Sequence, residues 1–202
     1  SSRTDALDRD RFIWPIVYAG LLACLSAFSA FAADLRFIEV EREDDVYSLR
    51  SVAWFDTDAK SLYELLIDYD QFPRFTSAIV EARNLAADDS GRPGFYTRME
   101  GCVLFWCQNF VRTGYLQLEP MVEIVAVTDP EQSNFKLATE RWQLRPEKGG
   151  TLLIYEFDME PDFWVPPVVG PYFIKRELKS GGENALQRIE ALALGREPAP
   201  TD

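Results

Sequence analysis

The 202-residue sequence contains no histidine and only three cysteines. The lack of histidine excludes a Ser–His–Asp triad, a Cys–His pair, and zinc or haem sites that require a histidine ligand. Basic residues are also few, since 21 lysines and arginines stand against 33 acidic residues, giving a net charge of −12. This balance argues against nucleic-acid binding and against electrostatic docking on anionic lipid. A content of 47% hydrophobic and 27% charged residues is typical of one globular domain.

Residues 12–33 form an uncharged, mostly apolar stretch of 22 residues near the start of the chain. Within it, Ala30-Phe31-Ala32 fits the A-x-A rule for signal-peptidase cleavage. We therefore predict that residues 1–32 are a secretory signal peptide and that the mature protein, beginning at Ala33, is exported to the bacterial periplasm. Two alternatives remain: an uncleaved inner-membrane anchor facing the periplasm, since 22 apolar residues can span a bilayer, or lipoprotein processing at Cys24.

The mature chain begins with a predicted linker over residues 33–45 and a first strand over residues 46–55. Apolar residues then recur from Leu62 to Tyr69 at helical spacing, and Pro73 predicts that this helix ends near Asp70. A short second helical turn is expected up to residue 76. Later strands, separated by Gly, Pro and Asp turn residues, are predicted at 78–86, 94–102, 107–118, 121–129, 134–145 and 150–160.

The last predicted strand alternates in character. Leu153, Tyr155, Phe157 and Met159 share one face, and the other face is acidic. Because burying unpaired carboxylates costs several kcal/mol, we expect the aromatic face to point inward. Residues 161–171 contain four prolines and are expected to be irregular.

A helical pattern resumes at Tyr172 and continues to residue 194, and residues 195–202 are predicted to be a flexible tail. The element order is therefore strand, helix pair, several strands on short connections, and a long helix. Short connections imply an antiparallel meander. This order predicts an α+β fold in which one curved antiparallel sheet wraps around the C-terminal helix and encloses space for a ligand.

Two segments resemble a known family. The first is the helix–turn pattern D-Y-x-x-F-P-x-F, formed by Asp68, Tyr69, Phe72, Pro73 and Phe75. The second is the strand Thr151–Tyr155, which is followed by Pro161 and Pro166. Over residues 46–194 the chain resembles the START / polyketide cyclase (SRPBCC) superfamily, and most closely its coenzyme Q-binding-like branch. The resemblance implies a helix-grip fold and one of the family's roles, which include lipid carriage, quinone binding and aromatic cyclisation.

We expect an apolar ligand cavity between the last strand and the C-terminal helix. Phe163 and Trp164 are candidates for a gate over it or for membrane contact, and the alternative is a loop packed on the sheet. The residues expected to form the cavity are Leu153, Tyr155, Phe157, Met159, Leu178, Gly181, Gly182 and Ala185.

Arg98, Arg112 and Arg141 lie within apolar strands. An inward arginine is a candidate polar anchor for ligand oxygens, whereas outward arginines would pair with sheet carboxylates such as Glu100, Glu123, Glu140 and Glu156. Cys102 and Cys107 are predicted to form a disulfide, which requires the four residues between them to turn. Two cysteines alone do not make a metal site.

Three functions are compatible with these features. The first is a monomeric periplasmic protein that binds or carries a hydrophobic small molecule, a lipid or an isoprenoid quinone, with transient membrane contact. The second is a cyclase/dehydratase-type enzyme acting on an aromatic or polyketide-like substrate, against which the lack of histidine weighs. The third is a structural module with a filled interior. We predict no catalytic residues, no cofactor, no metal and no nucleic-acid partner.

Overall fold

The computed structural model describes residues 33–103, 106–167 and 169–198, so the predicted leader, Cys24 and the last four residues lie outside the described part. The strands are β1 (Asp34–Glu43), β2 (Val46–Phe55), β3 (Ile79–Leu85), β4 (Gly94–Val103), β5 (Trp106–Glu119), β6 (Glu123–Thr128), β7 (Phe135–Glu147) and β8 (Gly150–Pro161). The α-helices are α1 (Ala59–Ile67), α2 (Phe72–Phe75) and α3 (Gly170–Ala193), and short 3₁₀ turns occupy Tyr69–Gln71 and Pro130–Gln132.

The eight strands form one antiparallel sheet in the order β1-β2-β8-β7-β6-β5-β4-β3. Strands β3 to β8 follow one another as a meander, and the β1–β2 hairpin joins the sheet beside β8. The predicted α+β fold, a curved antiparallel sheet with a long C-terminal helix, is therefore confirmed.

Strand β1 corrects the prediction of a linker over residues 33–45. It pairs with β2 along its length, with an irregularity between Leu35 and Phe37 that breaks the alternation of apolar and polar residues. Leu35, Ile38 and Val40 are half-buried, and the charged residues around them face solvent. Such a charged, irregular strand suits the edge of a sheet, and because its period of two is broken, the local pattern does not indicate a strand.

The predicted helix after β2 is present as α1. Asp58 caps it, because its carboxylate accepts hydrogen bonds from the Ser61 backbone N–H at 3.0 Å and from the Ser61 hydroxyl at 2.8 Å. These hydrogen bonds hold the pKa of Asp58 below its ordinary value of 3.8. Leu62 and Leu66 on its inner face are fully buried.

Helix α3 begins at Gly170, two residues before the predicted start at Tyr172. Pro171 fits this start, because a helix needs no N–H donor in its first turn and proline already has a helical φ. Among the described residues, no helix combines the length and apolarity that crossing a bilayer would require.

The sheet and helices enclose two apolar clusters. One surrounds α1 and α2, where Tyr69 stacks on Phe72 with ring centroids 4.0 Å apart and on Phe95 at 4.8 Å. The other includes Phe157 and Met159 of β8 and packs against α3. The predicted inward face of β8 is confirmed, and on the outward face Asp158 forms an ion pair with Arg50 at 2.9 Å.

Strands β4 and β5 form a hairpin in which Cys102 lies directly opposite Cys107. The chain therefore reverses between the two cysteines, as a disulfide requires. The side chain of Cys102 is outside the described atoms, and the pairing of these two cysteines stays a prediction.

Candidate functional site

A cavity of about 790 Å³ lies between α3 and one end of the sheet. Its walls come from β4, β5, β7 and β8, from the loop that follows β8, and from the first half of α3. The walls are mainly apolar, and their largest side chains are Met99, Phe110, Phe135, Phe157, Met159, Phe163, Trp164, Phe173, Ile174 and Leu178. Glu100 and Glu177 also border the cavity, and both are exposed to solvent.

Five of the predicted residues line this cavity. Phe157 and Met159 contribute from β8, Leu178 from α3, and the two gate candidates from the loop. Phe163 is packed inward, with its ring stacked 4.3 Å from that of Phe110. Trp164 is 77% exposed, so the loop combines one anchored ring and one exposed ring beside the cavity.

The other five predicted cavity residues do not line it. Leu153 is buried in the cluster around α1 and α2, and Ala185 packs against that cluster. Gly182 lies against the Ile38 side chain, where an added Cβ would come within 3.2 Å, while Gly181 faces open space. Tyr155 belongs to the polar cluster described below.

The physical reason is that helices α1 and α2 fill the far half of the concave sheet. Only the half near Met159 and the start of α3 is left open. The period-2 pattern of β8 identified the inward face, but it could not indicate which end of that face borders empty space.

The three arginines have different positions. Arg98 points outward and donates to Glu81 at 3.2 Å, and Arg141 points outward near Glu123 at 3.7 Å. Arg112 points inward and is only 3% exposed. Arg98 and Arg141 therefore point outward and lie beside carboxylates of the sheet, whereas Arg112 points into the interior.

Arg112 forms the centre of a buried polar cluster. It donates from Nη1 to Glu140 Oε1 at 2.9 Å and from Nε to Thr128 Oγ1 at 3.3 Å. The Tyr155 hydroxyl donates to the same Glu140 oxygen at 3.3 Å. Thr97 lies directly opposite Arg112 in the β4–β5 ladder and is buried.

This cluster is buried but incompletely hydrogen-bonded. Within the described part of the chain, three of its side-chain atoms have no hydrogen-bond partner: Thr97 Oγ1, Arg112 Nη2 and Glu140 Oε2. The same is true of the buried hydroxyl of Tyr69, on which the charges of Glu140 and Arg112 act. Buried polar atoms in native proteins are usually paired. The cluster therefore has unused capacity to bind polar groups.

Burial determines the protonation of the cluster. Burial, reinforced by the negative charge of Glu140, raises the pKa of Tyr69 and of Tyr155 well above the ordinary value of 10.0. Burial is the largest single effect on Arg112 and lowers its pKa, but the combined effects of Glu140, Tyr69 and Tyr155 outweigh it, so the pKa is raised above its ordinary value. Both phenols therefore stay neutral and the guanidinium stays charged near neutral pH.

The cluster lies directly behind the inner wall of the cavity. In two strands the inward neighbour of a cavity residue belongs to the cluster: Thr97 lies two residues before Met99 in β4, and Tyr155 lies two residues before Phe157 in β8. The Arg112 guanidinium carbon lies 5.2 Å from the centre of the Phe157 ring, and Phe157 also borders the cavity. Phe157 thus separates the apolar space from the charged group.

From the sequence, Glu140 is named only as a possible partner for an outward arginine, and not as a residue of the interior. Its position could have been derived, because Ala138, Glu140, Trp142 and Leu144 alternate along β7 and all point inward. Across the described ranges there is no group of three or more His, Cys, Asp or Glu side chains that could hold a metal ion.

Comparison with known proteins places this geometry among related folds. A family model described as polyketide cyclase / dehydrase and lipid transport matches residues 56–176. A START superfamily protein from Mycobacterium smegmatis is similar with a TM-score of 0.55 and 20% identity, covering 73% of this chain and 97% of that one. No match was found among curated proteins.

Two further solved structures share this fold but are described as proteins of different function. The Zhui aromatase/cyclase from Streptomyces sp. R1128 has a TM-score of 0.58 and 12% identity, covering 74% of this chain and 94% of that one. A STAR-related lipid transfer protein from Xanthomonas axonopodis has a TM-score of 0.55 and 12% identity, covering 78% and 98%. At these identities the likeness shows the fold alone.

Proposed function

Since the chain belongs to the polyketide cyclase / dehydrase and lipid transport family, we propose that it binds and carries a hydrophobic small molecule, a lipid or an isoprenoid quinone, in the cavity beside α3. The observation that carries this proposal is the cavity of about 790 Å³ with a mainly apolar wall. Ligand sites in proteins commonly enclose roughly 300–1,000 Å³ and are lined by apolar and aromatic side chains.

The size of the ligand follows from the energetics of an apolar wall. Micromolar affinity corresponds to about −8 kcal/mol. At about 25 cal/mol per Å² of buried apolar surface, this requires roughly 300 Å² of ligand surface before the costs of association are subtracted. A long alkyl chain or an isoprenoid tail offers that much apolar surface, whereas a small metabolite does not.

The chemistry of the wall favours binding over catalysis. The ionisable residues that border the cavity, among those described, are Glu100 and Glu177, and both are exposed to water. General acid–base catalysis needs a group whose pKa lies near the operating pH and which reaches the reacting atoms. Tyr155 fails the first condition, because burial raises the pKa of its phenol well above 10.0.

We also propose transient contact with a membrane, because two aromatic side chains near the cavity are exposed to solvent. Trp164 in the loop after β8 is 77% exposed, and Tyr172 in the first turn of α3 is 66% exposed. Aromatic side chains of this kind favour the water–lipid boundary. Because the net charge is −12, we propose a neutral lipid surface, and we place the protein in the periplasm.

The first test is chemical identification of a natural ligand. The protein, expressed with its leader in a bacterial host and purified without detergent, is extracted with organic solvent and analysed by mass spectrometry. We expect a lipid or quinone at near-stoichiometric amount. Absence of any such compound, together with no binding of a fluorescent fatty acid or of a short-chain isoprenoid quinone, would refute carriage.

A matched pair of variants tests the position of the site. Leu178→Trp places an indole in the cavity, whereas Lys179→Trp places the same side chain on the neighbouring, exposed position. We expect the first variant to weaken probe binding at least tenfold, since it occupies ligand volume, and the second to leave it unchanged. Equal affinities in two folded variants would place binding elsewhere.

A cyclase-type activity is the second candidate, and one observation favours it. The cluster of Arg112, Glu140 and Tyr155 lies behind Phe157, and an arginine–carboxylate pair could orient a polyketide carbonyl if the ligand reached past that ring. Its test is to incubate the protein with a poly-β-ketone thioester and follow formation of an aromatic product by absorbance. Activity that Glu140→Gln abolishes while fatty-acid binding persists would favour the enzyme.

A further inference from the structure

A buried carboxylate lies at the opposite end of α3 from the cavity entrance. Glu190 is only 2% exposed. Its Oε1 accepts the Asp56 backbone N–H at 3.5 Å, and the backbone N–H of Ala33 also donates to this carboxyl group. Two charged side chains act on it through space, with Asp56 repelling its negative charge and Arg196 attracting it more weakly.

The two N–H groups come from the ends of paired strands. Asp34 lies opposite Trp54 in the β1–β2 ladder, so Ala33 and Asp56 emerge from the same end of that pair. Ala33 packs against the cluster around α1 and α2 and is only half-exposed. Glu190 therefore caps this end of the hairpin, and the nitrogen of Ala33 is held beside its carboxylate.

The same nitrogen belongs to the peptide bond that the A-x-A motif marks for cleavage. Ala30 and Ala32 are the small residues that the motif requires. The predicted scissile bond joins Ala32 to Ala33. The cleavage motif in the sequence and the contact with the buried carboxylate therefore both concern the backbone nitrogen of Ala33.

We propose that cleavage of the Ala32–Ala33 bond turns the Ala33 nitrogen into an α-ammonium group that pairs with the buried Glu190 carboxylate. A signal peptidase supplies the catalysis and water is the co-reactant. The bond between the Ala32 carbonyl carbon and the Ala33 nitrogen breaks, the carbonyl carbon takes the hydroxyl group and leaves with the leader as a carboxylate, and the nitrogen takes protons.

Cleavage at this bond then changes the electrostatics around Glu190. Before cleavage the two donors that the described residues give this carboxylate, the backbone N–H groups of Asp56 and Ala33, are neutral, and burial raises its pKa above the ordinary value. A positive charge at hydrogen-bonding distance reverses that effect, since an opposite charge favours the ionised form of each partner. The exported chain is thereby stabilised relative to its precursor.

The test uses the chain expressed with its leader and recovered from the periplasm. Mass spectrometry should show an N-terminus at Ala33. The pKa of its α-amino group, measured by pH-dependent acylation, should exceed the ordinary range of 7.7–8.0 by about one unit or more. In Glu190→Gln it should return to that range, and in Glu183→Gln, a change on the same helix, it should stay raised.

A register variant separates charge from position. One serine inserted between Ala32 and Ala33, with cleavage before that serine, keeps the α-ammonium group but moves it one residue away. We expect an ordinary α-amino pKa in this variant. An N-terminus at any other residue, retention of the uncut leader, or an ordinary α-amino pKa in the processed wild type would each overturn the proposal, even if Glu190→Gln fails to fold.

Discussion

The ion pair between Arg112 and Glu140 allows a quantitative test of how the interior is held together. The two side chains are 3% and 8% exposed at the residue level, and their charged atoms lie 2.9 Å apart. Two unit charges about 4 Å apart at an effective dielectric constant of 20 attract by about 4 kcal/mol. Removing one partner of a buried pair leaves the other charge uncompensated and costs about 3–5 kcal/mol.

We therefore expect Arg112→Met and Glu140→Leu each to lower the free energy of unfolding by about 3–5 kcal/mol. The double variant removes both charges, and it leaves the Tyr155 hydroxyl without its acceptor and the Thr128 hydroxyl without its donor. An unsatisfied buried hydroxyl costs about 1–3 kcal/mol. The double variant should therefore be more stable than either single variant.

The measurement is guanidinium-induced unfolding followed by tryptophan fluorescence and circular dichroism, with a double-mutant cycle calculated from the three variants. Arg98→Met is the matched control, because Arg98 pairs with Glu81 on the outer face and its side chain is 37% exposed. Exposed pairs contribute about 0–1 kcal/mol. Single variants that lose less than about 1 kcal/mol, or a double variant that loses the sum of both, would refute the reasoning.

Three further predictions concern single elements. Reducing a Cys102–Cys107 disulfide should lower the free energy of unfolding by about 2 kcal/mol, because the closed loop is short, and mass spectrometry with and without reductant checks the bond. Asp58→Ala should lower the melting temperature at neutral pH. Since hydrogen bonds at the α1 N-cap hold the pKa of Asp58 below 3.8, this difference from wild type should vanish as the pH falls through the folded pKa, and melting curves against pH check it. Gly114→Ala should cost at least about 1–3 kcal/mol, because its Cβ would overlap the backbone of β6, whereas Gly181→Ala, which faces open space, should be neutral or stabilising in denaturant melts.

Local patterns predicted the strands and helices well where one period persisted. The alternation in β8 identified its inward face, and Pro73 and Pro171 marked helix boundaries within a few residues. Strand β1 was missed because its irregularity near Leu35 breaks the period of two. In a strand a shift of one residue moves every side chain to the opposite face. An interrupted alternation therefore no longer predicts which residues share a face, and the strand is not recognised.

The orientation of the arginines could have been predicted more fully. In β5, Phe110, Arg112 and Leu116 share one parity and all point inward. In β4, Thr97 and Met99 point inward, so Arg98 has to point outward. The sequence therefore contained the orientation of each arginine, but not that Arg112 and Glu140 would meet, because their strands are separated by β6 in the sheet.

The sequence by itself determined the element order after residue 45, the antiparallel meander, the inward face of the last strand and the exclusion of histidine-based chemistry. These follow from local periodicity, turn residues and composition, which act over a few residues. Only the tertiary structure decided which half of the sheet α1 and α2 fill, and therefore where the cavity lies. It also decided that Glu190 would lie beside the nitrogen of Ala33, far away in the chain, because such contacts depend on how packed elements meet and leave no local pattern in the sequence.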